Sequence, residues 1–493
     1  MRLVRVGGLS CFLVLSLAGA ASATVHYLYV NVSNTVPAAP YATWDTASTN
    51  IQMAIAAASS GDEIRVGPGR YRISTPVDIP NNKRLTLRST QSRAAIIDAQ
   101  RLCTAVTING TNSVIEGFTV QNGKTDNYGG GVVFYSSGIV RDCRVVSNEA
   151  YGGAGIMIYP STSVVERCTI ERNLATEMGG GVVFYNYAAG LVNNSTIRDN
   201  IASNFGGGVH FQGAGTVSNS WIADNRAVSG DGGGVAMGLG GRLVNSIIVG
   251  NRAGKDGGGV RANFAGYVAH CTVVSNTAAR YGGGLFSSSS SFWNSILYFN
   301  SAPTNANVLT ESSSFNNCCL IPGPGGSNFT NAPTFVNFAA RDFHLAPGSS
   351  CIERGSAVPA VNVDYDGIPR PQQATVAGSP EYDVGAYEYQ MSWDAGYQSI
   401  GNGWRRLVWF GDYIPMGSEG WIWHNKHGFF FVPSGVTSQS LWLYAQDMGW
   451  LWTGSSTYPF LYRAEPAAWL WYNGATHPRW FLNFTTSTWE SRP

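Results

Sequence analysis

Four side chains near the middle of the chain have types that could do chemistry together. Asp231 and Asp256 each stand just before a glycine cluster, with Lys255 and Arg261 close by. Paired carboxylates can hold Ca2+ and a cationic neighbour can act as base, which is the set a polysaccharide lyase requires. No further carboxylate joins them on one strand face, so they read as a solvated turn. His424 and His427 suggest a metal pair, but residues three apart in a hairpin are expected to face opposite sides, and no third ligand follows. The paired Asp motifs of a glycosidase are missing from the repeats, and Gly67-Pro68-Gly69 lacks the Lys-Ser/Thr of a phosphate loop. Catalytic residues therefore stay unassigned. No metal site or cofactor is indicated, with Ca2+ the one ion the residues leave open. A third chemistry is ring stacking: Trp423, Trp452 and Trp471, from the segments Trp421-Ile422-Trp423, Trp450-Leu451-Trp452 and Trp469-Leu470-Trp471, could bind sugar. Tryptophan is also a core residue of small β domains, and most of the tail tryptophans are expected to be core.

The elements that must position these residues come from a repeat. A Gly-Gly-Gly cluster followed by an apolar residue begins at Gly129, Gly179, Gly206, Gly232, Gly257 and Gly282, with a variant at Gly152. Between clusters a Cys or Ser (Cys143, Cys168, Ser195, Ser220, Ser246, Cys271, Ser295) is followed five residues on by Asn148, Asn173, Asn200, Asn225, Asn251, Asn276 and Asn300. Two signatures phased at about 25 residues mean one stacked unit. Three consecutive glycines exclude a helical repeat, at roughly 1 kcal/mol each. Val182-Val183-Phe184 and its equivalents alternate as strands do. An apolar residue lies three before the Cys/Ser position and another two after it, so the period of two breaks at a corner. Asn194, Asn219, Asn245 and Asn294 sit there, and Asn tolerates the left-handed conformation. The reading is an all-β, three-sheet parallel β-helix with the seven asparagines as a structural ladder. Charged residues are only 12% of the chain, against roughly 25% ordinarily, as expected where a repeated charge would face its own copies.

Arg2, Arg5, an apolar run to Leu17 and Ala21-Ser22-Ala23 read as a signal peptide over 1–23, so the product is expected to be exported, secreted or surface- or outer-membrane-associated. No later stretch is long enough to span a membrane. A net charge of +1 without a basic stripe argues against nucleic acid. The capped β-helix is placed at 24–300, with a short helix between Thr46 and Ser59 covering its open end, an irregular helix end at 301–390, and a small hairpin domain at 391–493 that holds twelve of the 15 tryptophans. Seven cysteines follow the leader: Cys103, Cys143, Cys168, Cys271, Cys318, Cys319 and Cys351. Cys143 and Cys168 are expected to stack inward, at a separation that would also allow a disulfide, and Cys318 or Cys319 with Cys351 is the expected bridge. Pairing and oligomeric state are not fixed by the sequence.

The glycine-cluster and Ile-x-x-Asn repeats resemble the pectin-lyase-like right-handed β-helix proteins of bacteria, and the repeat pairs of chlamydial polymorphic membrane proteins. The opening Tyr29-Val30-Asn31, Ala39-Pro40-Tyr41, Trp44, Asn50-Ile51-Gln52 and Gly61-Asp62 is similar to the start of secreted β-helix proteins of Verrucomicrobia and relatives. Asp342-Phe343-His344-Leu345, Gly348-Ser349-Ser350-Cys351, Asp366-Gly367 and Asp383-Val384-Gly385-Ala386-Tyr387-Glu388 resemble the choice-of-anchor Q region that closes such helices, and the tail looks like a Trp-rich C-terminal module. These resemblances imply a right-handed helix and say little about activity. Short, uniform turns leave little material for a deep cleft. The expectation is a non-catalytic, adhesin-like protein binding a polysaccharide or cell-envelope component. The alternative is a carbohydrate-active enzyme, a lyase or a hydrolase, of the same fold.

Overall fold

The computed structural model describes residues 26–159, 162–186, 188–372, 379–417, 420–433 and 436–493; the leader-like stretch 1–23 lies outside them. Each coil follows one path. The strand after a glycine cluster, Val132–Phe134 for example, joins a ten-stranded sheet; the next, Gly138–Arg141, a twelve-stranded sheet; and the strand after Cys143, Arg144–Val146, an eleven-stranded sheet. All pair in parallel with the coils on either side, Val132 with both Val106 and Ile156. Alternation turns Val132, Phe134, Val140, Cys143 and Val145 inward, and their equivalents make one core along the axis.

Three sheets per coil are expected, and the structure adds a narrow fourth one of six strands, including Glu149–Gly152, Ile201–Ala202 and Arg252–Ala253. Its mark is an Ala two residues after each ladder Asn, and Ala150, Ala175 and Ala202 pack together with Ala154. Most of its strands are two residues long, too short to alternate visibly.

Two left-handed corners per coil separate the second, third and fourth strands. The first is the expected one, with φ between 45° and 53° at Asn194, Asn219, Asn245 and Asn294. The second falls just before each ladder Asn, at Ser147, Arg172, Asp199, Asp224, Gly250, Ser275 and Phe299. Left-handed backbone costs an ordinary residue about 1–2 kcal/mol, so something must offset it in every coil. The ladder does. Asn225 Oδ1 accepts both the backbone N–H and the side-chain amide of Asn200 at 3.0 Å, while its own amide donates to Ile197 O at 2.9 Å and to Asn251 Oδ1 at 3.0 Å. The Cys/Ser column forms a second, thinner ladder, Ser195 Oγ accepting from Cys168 N and Ser220 Oγ from Ser195 N.

One glycine cluster shows why the residue is required. Gly206 has φ +61°, and a Cβ on Gly207 or Gly208 would lie 2.5 Å or 2.7 Å from the carbonyl oxygen of Gly233 or Gly234. The first position needs the conformation and the next two need the space.

At the N-terminal end the helix Ile51–Ala57, capped by the Asn50 side chain, lays Ile51, Ala54 and Ile55 on the core. At the other end the rungs run on to Val308–Thr310, Ser314–Asn316 and Cys319–Leu320. The chain then turns back along the flank of the last coils. Phe329, Phe343, Leu345, Val384 and Ala386 cover the outward residues Ala223, Ile247, Val249, Val274 and Ile296. Corner asparagines fasten this clasp: Asn245 donates to Val363 O and Asn294 to Ser356 O. Arg370, fully buried, pairs with Glu388 and donates to Asn245 Oδ1 and Gly385 O. The expected bridge to Cys351 is not formed; the seven described cysteines are thiols. Cys318 points into the helix core and Cys319 outward into the clasp with Cys351, because consecutive strand residues face opposite sides. Residues Gln398–Arg492 form a separate eleven-stranded antiparallel sheet.

Two outcomes follow. Asn225→Ala strips partners from buried groups in both neighbouring coils and should lower stability in urea unfolding by about 3 kcal/mol. Among the described cysteines a thiol reagent should label Cys103 first, since it alone of these is partly exposed, while burial pushes Cys271 and Cys318 up to about 12.

Candidate functional site

The tail strands alternate strictly. In Trp421–His424 the side chains of Ile422 and His424 are buried, while Trp421 and Trp423 are 37% and 40% exposed. In Gly449–Thr453 and Ala468–Tyr472 the buried residues are Leu451 and Thr453, and Ala468, Leu470 and Tyr472, while Trp450, Trp452, Trp469 and Trp471 take the opposite face. The three candidate tryptophans thus share one face with their pair partners. The expectation that most tail tryptophans are core is overturned: none of the twelve is fully buried. The core is built from Phe430, Leu443, Leu451, Leu461, Leu470 and Phe481. A single sheet has one inner face, and here the residues lying between the tryptophans fill it.

The sheet is rolled about that core. The His427 ring lies 4.3 Å from Tyr472 and 6.2 Å from Phe481, although these belong to strands well apart in the sheet order. Rolling splays the outer face, where aromatic rings meet across strands: Trp423 with Phe429 at 4.7 Å, Tyr444 with Trp450 at 5.4 Å, and Trp452 with Trp469 and Trp471 with Trp489 at 6.0 Å. Edge-to-face contacts of this kind contribute about 0.5–1.5 kcal/mol each and hold the rings in place. Trp452 is fixed further by its indole N–H, which donates to Ser440 Oγ at 2.9 Å.

Beside Trp421 this face runs into a groove of about 690 Å3, lined by Trp393, Asp394, Arg405 and Phe431 among others. Burial raises the pKa of Asp394, but hydrogen bonds from Ser392, Tyr413 and Arg405 outweigh it and hold the carboxyl below its ordinary value. Asp394 is therefore a fully engaged anion that positions the groove wall.

His424 and His427 were expected on opposite sides and lie on the same inner side, with rings 4.8 Å apart. The residues between them form the hairpin turn, where alternation does not hold. His424 donates from Nε2 to Phe410 O, and its Nδ1 accepts from the N–H groups of Lys426 and His427. Both rings are thus neutral core groups: burial pushes His424 down to about 4 and His427 well below its ordinary value.

The carboxylates at 231 and 256 are not a solvated turn either. Asp256 is buried, grips the Arg280 guanidinium, and gives its N–H to Asp231 Oδ1 at 3.1 Å. Arg261 stacks 3.8 Å over the Phe286 ring. Lys255 takes no part in this contact set. His210, which the sequence reading passed over, lies beside them on the same sheet; its signal was a polar residue at the outward position of the apolar strand Val209–Phe211. The seven ladder asparagines are buried inside the coils and bond to one another.

A neutral buried histidine takes up its proton only on unfolding, so its contribution is complete above about pH 6.5 and is lost as pH falls towards the folded value. For His424 the full loss amounts to about 3 kcal/mol. Tryptophan-fluorescence melts, which report chiefly on the tail, should fall in midpoint from pH 7 to pH 4.5, and His424→Gln should flatten that slope.

A family described as right-handed beta helix region matches residues 89–222. No curated protein matches the sequence. Among solved structures, the pectate lyase Pel9A is 14% identical, with a TM-score of 0.50 over 74% of this chain and 96% of that one. XylC in complex with xylose is 10% identical, with a TM-score of 0.41 over 63% of this chain and 78% of that one. The likeness to the pectate lyase is one of fold, and the fold is a right-handed parallel β-helix that carries a small antiparallel β domain at its C-terminus.

Proposed function

We propose that the protein is an exported, non-catalytic β-helix protein that holds a polysaccharide or cell-envelope component on the aromatic outer face of its C-terminal sheet. The observation that carries this reading is the alternation in that sheet, which turns tryptophans outward on strand after strand while aliphatic residues fill the inside. Large exposed aromatic faces on soluble proteins are commonly interaction sites. Flat, immobilised rings suit the C–H faces of pyranose sugars, which are apolar even though their edges carry hydroxyls. The β-helix serves as the stalk. The leader-like residues 1–23 support export, and a rigid column suits presentation at a distance from the cell.

The intact chain should be retained on insoluble polysaccharides or on a glycan array. Trp423→Ala, Trp452→Ala and Trp471→Ala should each weaken retention about three- to tenfold, in line with about 0.5–1.5 kcal/mol per ring, with a cooperative melt still present although a few degrees lower. Release of unsaturated or reducing sugars by the intact chain would instead establish the carbohydrate-active-enzyme reading.

A further inference from the structure

A second feature lies on the outward side of the ten-stranded sheet, within the coils. Register places Val183, His210, Ala236, Arg261 and Phe286 in one outward column, one residue per coil. Ala236 is the smallest member, and it leaves a cavity of about 260 Å3 with His210 on one side and Arg261 on the other. Phe205 forms an aromatic wall, its ring 6.1 Å from that of His210, and Asp231 also lines the space.

On both sides of this cavity there are unsatisfied nitrogen atoms. His210 is 7% exposed and its Nδ1 has no hydrogen-bond partner. Arg261 Nε and Nη1 have none either, although stacking on Phe286 fixes the guanidinium. An unpartnered buried polar group costs about 1–3 kcal/mol. Two of them facing a gap in an otherwise close-packed column point to a ligand that completes them.

Charge narrows the class of ligand. Of the charged groups nearby, only Asp231 and Arg261 line the cavity, and Asp256 is already paired with Arg280. One carboxylate and one guanidinium leave no net attraction for an ion of either sign. What fits is a neutral molecule whose groups both donate and accept: hydroxyls that take the Arg261 N–H groups, give a proton to Asp231 and meet the neutral His210 ring, on a body with an apolar face for Phe205. Further along the same sheet, Val133, Met157 and Val183 are overlaid by Tyr128, Tyr159 and Tyr185. Tyr128 and Tyr185 lie 4.5 Å apart and Tyr159 and Tyr185 5.6 Å apart, so a strip of rings lies over the next residues of the same sheet.

We infer that the cavity between His210 and Arg261 binds one uncharged sugar ring, with the tyrosine strip beside it taking the next rings of a chain. This site is separate from the tail and stands or falls independently of it.

The test is calorimetric titration of the full chain with methyl glycosides of neutral hexoses, their short oligomers, and methyl glucuronide. At least one neutral hexoside should bind with a dissociation constant of about 10 mM or tighter, and its oligomers should bind more tightly. Arg261→Met, which keeps the packing on Phe286 but removes the donors, and Ala236→Leu, which fills the gap, should each weaken binding at least about tenfold, and should do so to the same extent in a Trp423→Ala/Trp471→Ala background, where the tail face contributes nothing. Arg261→Met should melt with the parent, so its loss of binding is not a loss of fold. Failure of every neutral hexoside to bind, tighter binding of the glucuronide, or undiminished binding by Arg261→Met would each overturn the assignment. Loss of binding only in the tail variants would move the sugar to the outer face of the C-terminal sheet and also overturn it.

Discussion

Stacking each side chain on its own copy, one rung about 4.8 Å away, is the constraint on which the rest of this molecule depends. A buried column can be apolar, or it can be a group that both donates and accepts, and the carboxamide of asparagine is the side chain that does this with a fixed direction. The ladder from Asn148 to Asn300 uses both functions: each amide donates one N–H to the oxygen of the next asparagine and its own oxygen receives from the previous one, so the chain of side chains has a polarity, while a second N–H turns back to a carbonyl of the preceding coil. The left-handed corner before each ladder position is held open by these bonds, and the chain is thereby thrown into the narrow fourth sheet. The alanine column of that sheet brings it close enough that the glycines beyond have no room for a Cβ.

Charge is tolerated where the column can be answered. Glu171 is buried yet contacts Arg144, Arg172 and Arg198 from its own and both adjacent coils, and burial, which raises its pKa, is outweighed so that it stays below its ordinary value. The buried Arg370 and Glu388 pair is of another kind. Its members are met by backbone groups and by Asn245, so a polar knot lies where the returning clasp meets the coils. Removing one partner of such a pair is far more damaging than replacing both.

Much of this architecture was legible because it repeats. Glycine clusters, the Cys/Ser column, the ladder and the first corner each recur in phase, so the residues could be assigned to faces without knowing any contact. What escaped was short or non-repeating. The fourth sheet has strands too brief to alternate. His424 and His427 defied the alternation rule because a turn lies between them. The tail tryptophans looked like core by residue type, while the period-two aliphatic residues between them were the stronger signal. His210 and Arg261 each depart once from an apolar column, and only the register shows that they flank the same alanine. The clasp was recognisable as a segment from Asp342 to Glu388, but its place along the flank depends on bonds to corner asparagines more than sixty residues away, which no local pattern encodes.

The clasp also decides how the molecule bears load. Coils towards the N-terminus have no such strap, and their contacts beyond the next coil are single side chains such as Arg93, which reaches Asp142 O, so they can peel more nearly one at a time from the capped end. Coils from about Ala223 onward are strapped across several rungs at once by one continuous segment. That segment leads directly into the C-terminal sheet. A pull applied to the tail therefore enters the column through its most strongly strapped part, in shear across several rungs together instead of rung by rung. On the proposed reading, in which the tail is the grip, the reinforcement of the column lies next to that grip.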